Sequence, residues 1–106
     1  MRIAEVIGTV TLSRMHPSVA GFRWVIGVPF SLKALQGGLP PDGEDIVIFD
    51  NLGAGAGSRI GFSEGGEAAV PFLPERKPVD AYCACILDSV TVQKLISPER
   101  ERGAGR

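Results

Sequence analysis

The 106-residue chain has almost no excess charge of either sign: 11 Lys and Arg stand against 12 Asp and Glu, a formal net of -1 at pH 7. Nucleic-acid binders carry a basic surplus that neutralises phosphates and releases counterions, and a pI near 5.8 offers none. Nucleic acid is therefore not an expected partner. Histidine occurs once, His16, beside Pro17 in a turn-like stretch. A metal centre needs several converging ligands, so none is expected. A hydrolytic triad built from His16 with Ser13, Ser18 or Ser58 lacks a nucleophile elbow, so no catalytic residue is assigned. No apolar run approaches the ~18 residues of a membrane span. The opening "MRIAEVIGTVTLS" carries Glu5 and Gly8 within its apolar stretch, unlike the core of a signal peptide. A soluble, cytoplasmic protein without membrane contact is expected. Cysteine occurs twice, Cys83 and Cys85. Their spacing predicts a shared strand face and a Cα separation of roughly 6.6 to 6.8 Å, at the outer limit for a disulfide, so reduced, packed thiols are expected.

What the chain does have is alternation with a period of two, which appears repeatedly, and no sustained helical period. In "IAEVIGTVTLS" the residues Ala4, Val6, Val10 and Leu12 read as one apolar face, with Glu5, Thr9, Thr11 and Ser13 on the other. "GFRWVIGV" sets Phe22, Trp24, Ile26 and Val28 on a second apparent core face. "DIVIFD" is a short buried strand, "SRIGFS" a fourth, and "VDAYCACILDSVTV" a fifth. Between them, "SLKALQ" allows one helical turn before "GGLPPDG" enforces a loop, and "EGGEAAVPFLPERKP" is loop with room for another turn at its start. These elements predict an all-β fold, a small five-stranded closed β-barrel of the OB-like Greek-key type with one short helical turn, because closure removes exposed strand edges. A small open sandwich is the alternative. The fifth strand is apolar on both faces, Ala81, Cys83, Cys85 and Leu87 against Tyr82, Ala84 and Ile86. A half-exposed antiparallel strand shows a polar face, so a second subunit is expected to cover this one.

The segment "DNLGAGAGSRIGF" places Gly53, Gly55 and Gly57 at every second position. A dinucleotide fingerprint needs G-x-G-x-x-G leading into a helix, and a Walker loop ends in Lys-Ser or Lys-Thr. Here "RIGF" follows, which is strand-like, so no nucleotide or other cofactor is expected. The glycines read as a structural turn that needs positive dihedrals or close backbone approach. Asp50, Asp80 and Asp88 sit at strand ends, where a carboxylate most simply bonds loop amides. An OB-type barrel also raises the alternative of a binding module for single-stranded nucleic acid, but neither a basic groove nor stacking platforms are evident.

Three motifs in order, "IAEVIGTV", "D-N-L-G-A-G-A-G" and "P-V-D-A" running into "ILDSV", resemble the vertex proteins of bacterial microcompartments of the carboxysome and ethanolamine-utilisation type. The resemblance spans residues 1–92, which it implies form the barrel domain; 93–106 is expected to be a flexible C-terminal tail. It implies a non-enzymatic shell protein without cofactor, assembled as a homopentamer at five-fold corners. It further implies hexameric and trimeric shell proteins as partners, and a place in the microcompartment shell of the bacterial cytoplasm. On this reading Gly53, Ala54, Gly55, Ala56, Gly57, Ser58 and Arg59 form a subunit-interface or pore loop, and Tyr82, Ala84 and Ile86 an interface strand. The loop over residues 29–44 is longer than the family pattern, and Ser58–Arg59 stand where an acidic residue is common.

Overall fold

A computed structural model describes residues 1–75 and 77–93; the expected tail lies, apart from Gln93, outside the described residues. Five strands, β1 (Arg2–Val10), β2 (Arg23–Pro29), β3 (Ile46–Asp50), β4 (Arg59–Glu64) and β5 (Ala81–Ile86), close into a barrel of order β1-β2-β3-β5-β4. Every neighbouring pair is antiparallel except β3 and β5, which run parallel and meet at Phe49 and Tyr82. The predicted helical turn is α1 (Leu32–Gly37). Ser31 caps it by accepting from the Ala34 amide at 3.0 Å, and Gly38 ends it at φ 63°. The long 29–44 loop is tied back on itself: Asp42 accepts from the Ser31 amide at 2.8 Å and from its hydroxyl at 2.6 Å. Those bonds hold the Asp42 carboxyl below its ordinary value. Two 3₁₀ segments, Pro17–Val19 and Gly65–Phe72, complete the elements of the described residues; of these, only the second is expected from the sequence.

The barrel interior is filled by Ala4, Val6, Val25, Ile48, Ile60, Phe62, Ala81 and Cys83. Two β-bulges explain where simple alternation misassigns the faces. In β1 the register slips between Val6 and Gly8, so Ile7 is the extra residue and the phase inverts beyond it. Ala4 and Val6 point inward as expected, but Val10 pairs with Trp24 on the outer side. In β5 the register slips opposite Gly61 and Phe62, leaving Ala84 as the extra residue. Cys83 stands opposite Phe62 inside the barrel, whereas Cys85 stands opposite Gly61 outside it. A Cβ on Gly61 would lie 2.8 Å from the Cys85 Sγ, which fixes that orientation. The two thiols therefore occupy opposite faces, correcting the shared face expected from their spacing.

The β2 assignment is also reversed. Val25 and Gly27 line the interior, while Trp24, Ile26 and Val28 form the outer, half-buried face. Trp24 belongs to a second apolar cluster outside the barrel, with Val19, Phe49, Phe72, Val79, Ala68 and Tyr82. Phe49 is fully buried at its centre, its ring 4.8 Å from Phe22, 5.2 Å from Trp24 and 5.4 Å from Phe72. The cover for the outer side of Tyr82 thus comes from the chain's own 3₁₀ segment, with Phe72 at 5.1 Å. Ala84 and Ile86 stay exposed.

Lys77 staples this outer layer together. Its side chain is only 6 % exposed. Its ammonium donates to the Ser18 carbonyl, lies 5.2 Å from the Phe22 ring centroid and 5.4 Å from that of Phe72, and approaches Glu75 at 3.3 Å. A cation desolvated between two aromatic faces gains more than an exposed one. Lys77→Met keeps the aliphatic stem and removes the charge, and is expected to cost about 2 kcal/mol in urea unfolding.

Candidate functional site: the glycine loop and its anchors

The loop between β3 and β4 begins at Asp50, whose side chain is fully buried at one end of the barrel. Its Oδ1 accepts from the Leu52 amide at 2.9 Å, the Asx turn that Asp followed by Asn-Leu-Gly favours. Its Oδ2 accepts from the Ala54 amide at 2.9 Å and from Arg23 Nη1 at 3.3 Å. Arg23 faces Asp50 directly across the β2–β3 ladder, and its Nη2 also donates to the Ala54 carbonyl at 3.0 Å. These bonds draw Ala54 inward, where it is fully buried and joins the barrel core.

The far end of the loop is bolted to β1 beside its bulge. The Gly57 amide donates to the Val6 carbonyl at 2.7 Å, and the Val6 amide donates to the Ser58 carbonyl at 2.8 Å. Within the loop, the Ser58 amide donates to the Gly55 carbonyl at 2.9 Å, and the Gly55 amide to the Ser58 Oγ at 3.3 Å. Gly53 and Gly57 adopt φ of 86° and 90°, which side-chain-bearing residues rarely take. Gly55 is different. Its φ is ordinary, and a Cβ built there would meet nothing within 4 Å among the described residues. The turn geometry explains Gly53 and Gly57, and nothing among the described residues explains Gly55.

The expected site residues therefore fall into groups. Gly55 and Ala56 form the exposed tip, Ala54 is core, Ser58 is half-buried, and Arg59 is exposed with its guanidinium 5.2 Å from the Phe30 ring centroid. One bond connects loop and fifth strand, Tyr82 Oη donating to Asn51 Oδ1 at 3.3 Å, and just past that strand the Leu87 amide donates to the carbonyl of Arg59, the first residue of β4, at 2.8 Å. An open cleft of ≈ 280 Å³ lies between Ser58, Arg59 and residues Leu87, Asp88 and Ser89. Tyr82, Ala84 and Ile86 do not share one face, because the bulge at Ala84 separates them: Tyr82 packs outward in the aromatic layer and Ile86 stands opposite Ile60. Nothing local in the sequence marks Arg23; only the cross-strand register reveals its partnership with Asp50.

Chemically the arrangement is a scaffold. Burial first, and then the Asp50 carboxylate, push the Cys83 thiol up to about 12. The folded thiol keeps its proton where an unfolded one loses it, so this contribution is intact below the ordinary thiol value and is lost as pH rises towards about 12. Iodoacetamide at mildly alkaline pH is expected to leave Cys83 unmodified in the folded protein and to alkylate it after denaturation, as peptide mass mapping would reveal. The aromatic side chains of the outer layer stack on one another, which leaves them poorly placed as a platform for nucleic-acid bases.

Residues 1–88 match the family model described as ethanolamine utilisation protein EutN/carboxysome. The carboxysome shell vertex protein CcmL of Gloeobacter violaceus is 33 % identical over 92 residues, covering 87 % of each chain. The GrpN pentameric microcompartment shell protein from Rhodospirillum rubrum superposes with a TM-score of 0.73 at 29 % identity, over 88 % of this chain and 100 % of that one. The ethanolamine utilisation protein EutN from Escherichia coli also gives 0.73, at 26 % identity, over 87 % and 89 %.

Proposed function

The chain belongs to the ethanolamine utilisation EutN/carboxysome CcmL family, and from that premise we propose that it is a structural, non-enzymatic shell protein whose cyclic pentamer caps the five-fold vertices of a bacterial microcompartment. The observation carrying this reading is the match of the whole barrel to a pentameric shell protein along that protein's full length. A sheet of hexagonal tiles closes into a polyhedron only where pentagonal units supply curvature. The partners are accordingly further copies of this chain and the hexameric and trimeric tiles around it, and the location is the shell within the bacterial cytoplasm.

Cyclic symmetry requires two different surfaces of each protomer to meet. The tip Gly55–Ala56, with Gly53, Gly57, Ser58 and Arg59 behind it, is proposed as one contribution, supported by the open space around Gly55. Ala84 and Ile86 are proposed as part of the other, supported by their exposure on a strand with no polar face. Tyr82 supports the neighbouring loop through Asn51. Residues 1–92 act as the assembling domain. Size-exclusion chromatography with light scattering at micromolar concentration is expected to return five times the 11.2 kDa chain mass. A monomer would overturn the proposal.

A further inference from the structure

The donor set around Asp50 is that of an anion site. Two backbone amides from a glycine-containing turn, Leu52 and Ala54, converge with one guanidinium, Arg23, on a point sealed from solvent. Glycine turns cradle phosphates and carboxylates with such groups. Here the cradle is filled by the chain's own side chain. We propose that Asp50 is the positioning residue of the assembly loop and that it acts as an internal anion, so that a small free carboxylate can replace it once its own is removed.

The geometry distinguishes this from a packing role. Asp50 makes both loop contacts through its oxygens, and each oxygen accepts at least one N–H. Without the carboxylate, two amides and a guanidinium would face one another across an empty pocket, and nothing would draw Ala54 into the barrel end. The opposite end of the loop is held independently by the Val6 bonds, so the expected failure is confined to residues 51–56. Asp50→Ala retains Cβ and vacates a space the shape of formate. Asp50→Asn keeps the shape but turns one acceptor into a donor facing donors, so it breaks the cradle and keeps it occupied.

The inference deepens the assembly-loop reading and rests on it only for the oligomer readout. Asp50→Ala in the full chain is expected to melt roughly 10–20 °C below the parent, since it leaves the Leu52 and Ala54 amides and the half-exposed Arg23 guanidinium without their acceptor. Added sodium formate is expected to raise that midpoint with the logarithmic dependence of a bound ligand, whereas sodium chloride at equal ionic strength does not. The parent and Asp50→Asn should respond equally to the two salts. Restoration of the pentamer of Asp50→Ala by formate would carry the inference through to assembly. Equal responses of Asp50→Ala to formate and chloride would overturn it. Should that variant not fold in plain buffer, refolding in formate but not in chloride supports the inference, and failure in both overturns it. Hydrogen exchange on the unmodified protein gives a second reading: the Leu52 and Ala54 amides should exchange far more slowly than that of Ala56, and equal rates would overturn the inference. A monomeric parent protein would instead sink the pentamer reading and leave the stability and exchange outcomes to judge Asp50 alone.

Discussion

Phe49→Ala is expected to cost about 3–5 kcal/mol, a large share of the roughly 5–15 kcal/mol that holds a domain of this size together. The reason lies in how the layers are arranged. Ile48 and Phe49 are consecutive residues of β3, both fully buried, one inside the barrel and one outside it. Phe49 is the ring on which Phe22, Trp24 and Phe72 all pack, with Tyr82 a further neighbour at 6.2 Å. Truncating it leaves a cavity that the surrounding strands are too constrained to collapse, so the transfer and cavity penalties add. The 3₁₀ segment Gly65–Phe72 and the turn at Pro17–Val19 lose their common seat, and the Lys77 staple loses the layer it clamps. At about 4–8 °C per kcal/mol for a chain near this length, the midpoint should fall by roughly 12–40 °C. Trp24 is the chain's single tryptophan and lies edge-to-face on Phe49. Its emission should therefore shift to longer wavelength in the variant before unfolding begins. Phe49→Leu, which keeps most of the volume, should lose less than half as much. A midpoint within a few degrees of the parent for Phe49→Ala would mean that the outer layer is not structural.

That layer also marks the boundary of what residue patterning conveys. The five strands, their order along the chain and the helical turn after β2 were legible because alternation and turn chemistry are local signals. Which side faces inward was legible at the start of β1, where Ala4 and Val6 point into the barrel, but not at β2 or beyond the bulges of β1 and β5. At β2 both candidate faces are apolar, Val25 and Gly27 against Trp24, Ile26 and Val28, and size alone favours the aromatic side; the structure puts that side outward, against Phe49 and the covering turns. At β1 and β5 a single extra residue, Ile7 or Ala84, inverts the phase, and a bulge of that kind leaves no trace in composition. Cys83 and Cys85 are the sharpest instance: identical residues two positions apart, one in the core and one outside. In the loop, Asp50 was legible as a turn former because the bond to Leu52 is local. Its pairing with Arg23, 27 residues away, depends on strand register.

Ala84→Asp is expected to turn the pentamer into folded monomers. Ala84 is exposed at the β5 bulge, so the protomer has room for a carboxylate, and a surface change of this kind is normally worth within about 0.5 kcal/mol of stability. At an interface the same group must be desolvated without a partner, which costs several kcal/mol. A closed ring repeats that cost at every one of its contacts, so the assembly constant falls far more steeply than for a single dimeric contact. Gly55→Val tests the other proposed surface by shape instead of charge: its φ lies outside the left-handed region and nothing among the described residues lies within 4 Å of the new Cβ, so the added bulk is directed at a neighbouring subunit. Light scattering and circular dichroism on both variants should report monomers with an intact spectrum. A pentameric Ala84→Asp would remove β5 from the subunit contact, and a pentameric Gly55→Val would leave the loop tip without a neighbour; either result moves the interface elsewhere on the barrel.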